Sequence, residues 1–243
     1  MNEEEKTKKA EEYLDIAFAH YTKGDYDKAI EALNKAIELN PDDAAAHYNL
    51  GLAYSDKGEY DKAIEALNKA IELKPDDAAA YINIGNAYSN KGDYDKAIEK
   101  YNKAIELKPD YAEAYYNLGY AYDGNGDYSQ AIEALNKAIE LNPNFAAAYI
   151  NIGNAYSNNG DYSQAIELYN KAIELKSDFA EAYNNLGVAY KNKGEYTKAI
   201  KALNKAIELK PDYVLAYNNL GNVYKNKGEY AKAIVEAYKK AFE

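Results

Sequence analysis

From residue 78 to residue 107 the apolar positions follow a helical rhythm twice over. Tyr81, Ile84, Gly85 and Tyr88 recur every three or four residues on one face of a first helix, A. Gly92 then stands where a helix end needs a residue that tolerates positive φ, and Asp93 where the next helix needs a cap. A second helix, B, follows with Tyr94, Ala97, Ile98, Tyr101, Ala104 and Ile105 inward. Pro109-Asp110 stops it, because proline cannot continue a helix and restricts the residue before it.

The same pattern recurs along the chain without a slip. Its turn glycines are Gly24, Gly58, Gly92, Gly126, Gly160, Gly194 and Gly228, always 34 residues apart. The repeats span 10–43, 44–77, 78–111, 112–145, 146–179, 180–213 and 214–243, numbered 1 to 7 below, after a charged lead-in and cap at 1–9. The last repeat carries one extra residue around Val235 and ends inside its helix B. The predicted fold is all-α, an α-solenoid of antiparallel helix pairs. Small residues such as Gly85, Ala97 and Ala104 let helix axes approach, and large neighbours fill the gaps. On helix B, Glu31/Lys35, Glu65/Lys69, Glu99/Lys103, Glu133/Lys137 and Glu167/Lys171 have i,i+4 ion-pair spacing, worth roughly 0.2–0.5 kcal/mol each.

Charge and composition narrow the function. The formal charge is −11, and every basic residue is lysine, so neither nucleic acid nor an anionic membrane surface is an expected partner. With no cysteine and no apolar signal or spanning segment, the expected location is cytoplasmic. No Ser, His and carboxylate set recurs, so no catalytic activity and no cofactor are expected.

The strings YNLG-x-AY, G-(D/E)-Y-x-x-A-I and KAIEL-x-P resemble the tetratricopeptide repeat over nearly the whole chain. Departures are local: His47 for an aromatic, His20 for Tyr, Ala17 for Gly and Ser177 for Pro. The resemblance implies a right-handed α-solenoid, or superhelix, and a scaffold that binds polypeptides in the concave groove lined by the A helices. It also implies that an asparagine ladder in such arrays holds target backbones. The clamp of basic residues that some members use for acidic chaperone tails has no counterpart, since those places hold Ala45, Ala79, Glu113, Tyr48, Ile82 and Tyr116.

A ladder is present at one fixed place of helix A: Asn49, Asn83, Asn117, Asn151, Asn185 and Asn219, with Asp15 in repeat 1. A carboxamide offers a donor and an acceptor side by side, matching a peptide group. Helices about 10 Å apart and a chain advancing about 3.4 Å per residue give one grip every three residues or so. Asn86, Asn154 and Asn222 extend the stripe one turn on, and Tyr48, Ile82, Tyr116, Tyr120 and Ile150 share the expected exposed face. Register positions typified by Tyr81, Tyr88 and Tyr94 hold nineteen of the 28 tyrosines, which are assigned to packing rather than to base stacking.

Repeats 3 and 5 differ at only six places, so Ile82 and Ile150 alternate with Tyr48 and Tyr116 in a two-repeat rhythm. Asp123-Gly124-Asn125-Gly126-Asp127 has calcium-like oxygen spacing, but Tyr128 and Ala134 stand where an EF-hand needs Gly and Glu; it reads as a turn loosened by Gly124. Asp42-Asp43 and Asp76-Asp77 read as helix caps, and His20 and His47 as packed residues. A structural array without a native ligand, the recognition arm of a larger enzyme, and end-to-end self-association through the C-terminal repeat are the alternatives.

Overall fold

The computed structural model describes residues 2–238, apart from some side chains near its end. The chain forms two compact bodies, 1–125 and 126–243. The N-terminal body holds α1 (Glu3–Tyr21), α2 (Tyr26–Leu39), α3 (Ala44–Asp56), α4 (Tyr60–Leu73), α5 (Ala78–Asn90), α6 (Tyr94–Leu107) and α7 (Ala112–Asn125). The C-terminal body holds α8 (Tyr128–Leu141), α9 (Ala146–Asn158), α10 (Tyr162–Leu175), α11 (Ala180–Asn192), α12 (Tyr196–Leu209), α13 (Val214–Asn226) and α14 (Tyr230–Tyr238). Odd-numbered helices are the A helices and even-numbered ones the B helices, as the sequence rhythm predicts. The end of repeat 7 beyond Tyr238, including Phe242, lies outside the described residues.

The punctuation works as its chemistry requires. The seven turn glycines all have positive φ, between +75° and +87°. Asp43 and Asp77 accept from the backbone N–H groups of Ala45, Ala46, Ala79 and Ala80, while Asp42 and Asp76 lie outside those caps. Asp93 accepts from the N–H of Lys96.

Within each body an A helix packs on its own B helix, and each B helix on the next A helix; α5 also touches α3 and α7, and α11 touches α9 and α13. The helical glycines set the closest approaches. A Cβ on Gly51 would stand 2.4 Å from Leu67 Cγ, and one on Gly85 2.5 Å from Tyr101 Cε1. Gly153 and Gly187 meet Tyr169 and Leu203 in the same way. The core is therefore a row of large B-helix side chains seated on bare A-helix backbone.

Two expectations change. Gly124 does not loosen the turn: it lies inside α7, and the ring of Tyr94 packs where its Cβ would be, 2.5 Å from Cζ. The i,i+4 ion pair forms at Glu31–Lys35, whereas Lys69, Lys103, Lys137 and Lys171 turn to Glu72, Glu106, Glu140 and Glu174 at i+3. Each lysine has a carboxylate one turn away on both sides, and such exposed pairs differ by too little to fix the choice. Tyr101 and its counterpart Tyr169 are 1% and 2% exposed, in keeping with the inward place of Tyr101 on helix B.

Candidate functional site

Four ladder carboxamides, those of Asn83, Asn117, Asn185 and Asn219, do not point idly into solvent. Asn83 Nδ2 donates to Tyr48 Oη of the preceding repeat at 2.8 Å and to its own helix at Ala79 O at 3.0 Å. Asn117 Nδ2 donates to Asn86 Oδ1 at 3.2 Å, and Asn185 Nδ2 to Asn154 Oδ1 at 3.0 Å. Asn219 Nδ2 donates to Asn184 Oδ1 at 2.9 Å, while Asn184 Nδ2 donates to Asn185 Oδ1 at 3.0 Å. Each of these rungs thus binds backwards to the repeat before it. The ladder is also a seam.

The seam explains the two-repeat rhythm. In repeats 3 and 5 helix B carries a tyrosine where repeats 2, 4 and 6 carry leucine, and the hydroxyls of Tyr101 and Tyr169 donate to Asn86 and Asn154 at 2.8 Å. Those asparagines are the acceptors for the next rungs. With the acceptor supplied there, the place four residues earlier is free to be apolar, as Ile82 and Ile150 are. Where that later place is Leu52 or Val188, the acceptor moves back to Tyr48 or Asn184. The joint occurrence of Asn and Tyr in repeats 3 and 5 was the sequence signal for this arrangement.

Ile82 and Ile150 are 3% and 1% exposed, so they are not on an exposed stripe. Helix A is covered on one side by its own B helix and on another by the next repeat, and Ile150, the counterpart of Ile82, belongs to a core cluster that includes Ala182, Leu186 and Ala189 of that next repeat. Tyr48 and Tyr116 are half-buried, Tyr120 is 52% exposed, and Asn222 is exposed. Burial pushes the pKa of the Tyr48 phenol above its ordinary value, with nearby Asp77 adding to the rise. Asn151 has a buried Nδ2 with no hydrogen-bond partner among the described residues.

His47 Nε2 lies 2.9 Å from the carbonyl of Pro41, the contact that Tyr149 makes with Pro143 three repeats later, so it substitutes for a tyrosine. His20 lies 3.6 Å from Asp25. Among the described residues no group of three or more His, Cys, Asp or Glu side chains could hold a metal ion, and no helix is long and apolar enough to cross a membrane.

Two kinds of hollow mark the surface. Large open grooves of about 870 and 1060 Å³ lie over helix B of repeats 2 and 6, at corresponding register positions. The first is rimmed by Asp61 and Glu65, where the second has Thr197 and Lys201. A smaller cavity of about 200 Å³, which sequence reasoning missed, lies on the A-helix face of repeats 1 and 2. Phe18, 70% exposed where later repeats place Asn86 or Asn154, was its signal.

Tetratricopeptide-repeat profiles match residues 14–78, 66–99, 112–145, 134–167 and 214–243, and related TPR-repeat profiles match 85–126, 154–194 and 191–228. The chain belongs to the tetratricopeptide repeat family. Among solved members, the MamA protein is 37% identical over 71% of this chain and 94% of its own, with a TM-score of 0.63. YrrB, described as a TPR protein with an unusual peptide-binding site, is 33% identical over 77% of this chain and 96% of its own, with a TM-score of 0.59. A tetratricopeptide repeat protein from Parabacteroides merdae, 22% identical, shares the fold over 96% of this chain and 92% of its own, with a TM-score of 0.81. No curated protein sequence matches.

Proposed function

We propose that this tetratricopeptide repeat chain is a non-catalytic scaffold that holds an extended polypeptide along the A-helix face of each body. The observation that carries the reading is the fixed orientation of the rungs. Asn83, Asn117 and Asn185 are half-buried and tied by Nδ2 to the preceding repeat, so their carboxamides are ordered before any ligand arrives. A carbonyl oxygen has two lone pairs, and each rung keeps acceptor capacity for a peptide N–H. Groups already held in place lose little entropy on binding, which favours affinity. The resemblance to YrrB, whose description names a peptide-binding site, points the same way.

The test is selection from an unbiased library of extended peptides, followed by affinity measurements on Asn117→Ala and Asn185→Ala. Both should weaken binding while circular dichroism shows helicity retained. Unchanged affinity in both, or selection that yields no binder, overturns the reading.

A second reading, a self-assembling array, is favoured by one observation. Ile16 is 46% exposed, whereas its counterparts Leu50, Ile84, Leu118, Ile152, Leu186 and Leu220 are buried. Light scattering across a concentration series tests it; a constant monomer mass excludes it.

A further inference from the structure

Repeat 1 breaks the seam. Its two acceptor places hold Leu14 and Phe18, neither of which can accept a hydrogen bond, so the first rung has nothing to bind behind it. Asn49 is accordingly exposed, while Asn83, Asn117, Asn185 and Asn219 are half-buried. The missing acceptors are replaced by an apolar hollow. Leu14, Ala17, Phe18, Leu33 and Leu52 line the cavity of about 200 Å³, with Asn49 at its wall. It is smaller than the roughly 300–1,000 Å³ of a small-molecule site and on the scale of a side chain.

Its edge is acidic. Tyr21, which also lines the cavity, donates its hydroxyl to the exposed carboxylate of Asp56. Asp15, exposed beside Leu14, occupies the rung position of repeat 1. An apolar hollow and an uncommitted carboxamide thus share one wall, with the Asp56 carboxylate held at the edge by Tyr21 and Asp15 next along α1 from Leu14. That combination matches an apolar side chain, the peptide group next to it and a neighbouring cation.

We propose that this hollow is the anchor subsite of the peptide groove, taking one bulky apolar side chain of an extended polypeptide with a lysine or arginine beside it. Asn49 pairs with the peptide group next to the anchor, and Asp15 and Asp56 attract the basic residue. This rests on the reading of the A-helix face as a peptide groove and fixes where the ligand is registered along it. Phe18, already largely exposed, forms the movable wall, so its truncation removes contact area without opening the core.

The experiment uses the full chain and fluorescein-labelled ten-residue peptides of Gly and Ser with one central Leu, Phe or Ala, flanked by Lys or by Glu. The Leu or Phe peptide with Lys flanks should bind about tenfold tighter than its Ala or Glu-flanked counterpart. Phe18→Ser and Asn49→Ala should each weaken it about tenfold, with thermal melts unchanged. Binding that is weakened by Asn117→Ala but not by Phe18→Ser or Asn49→Ala overturns the anchor and leaves the groove standing. Binding that depends on Phe18 and Asn49 but not on Asn117 or Asn185 supports the anchor and counts against the ladder grip. If sedimentation shows a dimer of the free chain that Phe18→Ser dissociates, a second copy covers the hollow and the proposal fails.

Discussion

The Tyr101 hydroxyl, itself buried, donates to Asn86 Oδ1, the same oxygen that Asn117 Nδ2 approaches from the next repeat. Two donors from different helices thus depend on one acceptor. Tyr101→Phe removes one of two bonds and should cost about 0.5–1.5 kcal/mol. Asn86→Ala strands both donors, and should cost more, about 1–3 kcal/mol for the buried hydroxyl alone. Urea denaturation of the two variants gives the ordering; equal costs would show that the oxygen is not shared in effect.

The pairing should be transferable. Leu67 sits in repeat 2 where Tyr101 sits in repeat 3, and Leu52 where Asn86 sits. Leu67→Tyr alone buries a hydroxyl without its acceptor; adding Leu52→Asn supplies it. A double-mutant cycle should give a favourable coupling of about 0.5–3 kcal/mol, the range for residues in contact. Additive effects would refute the pairing.

The period, the turn glycines, the Asp43 and Asp77 caps and the A and B helices were all legible, because each depends on spacing within one helix or turn. The seam was not. It joins residues 31 or 35 positions apart, and it depends on how each helix is rotated about its axis. Ile82 shows the difficulty: it lies away from the stripe facing helix B, yet it is buried because the next repeat covers a second arc of the same helix. Periodicity identifies the first buried arc of a solenoid helix and is silent about the second. For the candidate site, the rung positions were legible and their partners were not.

Two glycines should fail for different reasons. Gly85→Ala places Cβ 2.5 Å from the Tyr101 ring and should cost about 1–3 kcal/mol by overpacking. Gly92→Ala meets nothing within 4 Å but must hold φ near +79°, at a cost of about 1–2 kcal/mol. Asparagine, which tolerates that backbone, should restore most of the loss at Gly92 and none at Gly85. Thermal melts of the four variants decide it.

Stability should fall in alkali. Burial raises the Tyr101 phenol well above the ordinary tyrosine value of about 10, so above that pH the unfolded chain releases a proton that the folded chain keeps. The contribution is complete below pH of about 10 and is lost as pH rises from there. Tyr101→Leu, which places the residue of Leu67 at this site, should flatten that part of the profile. Phenolate absorbance followed alongside helicity should show this tyrosine ionising only as the chain unfolds.

Because rungs reach backwards, the order of repeats follows a grammar. A repeat with Leu14 and Phe18 at its acceptor places has nothing to offer a successor's rung, and leaves the junction after it without that bond wherever it stands. One with Asn86 or Tyr48 can be followed by any repeat that carries the rung. Lengthening such an array by copying repeat 2, 3, 5 or 6 keeps the bond at the new junction, whereas copying the first repeat into the middle adds a junction without it. Growth of this chain is therefore directional, because a copied repeat is judged by what it offers the repeat after it.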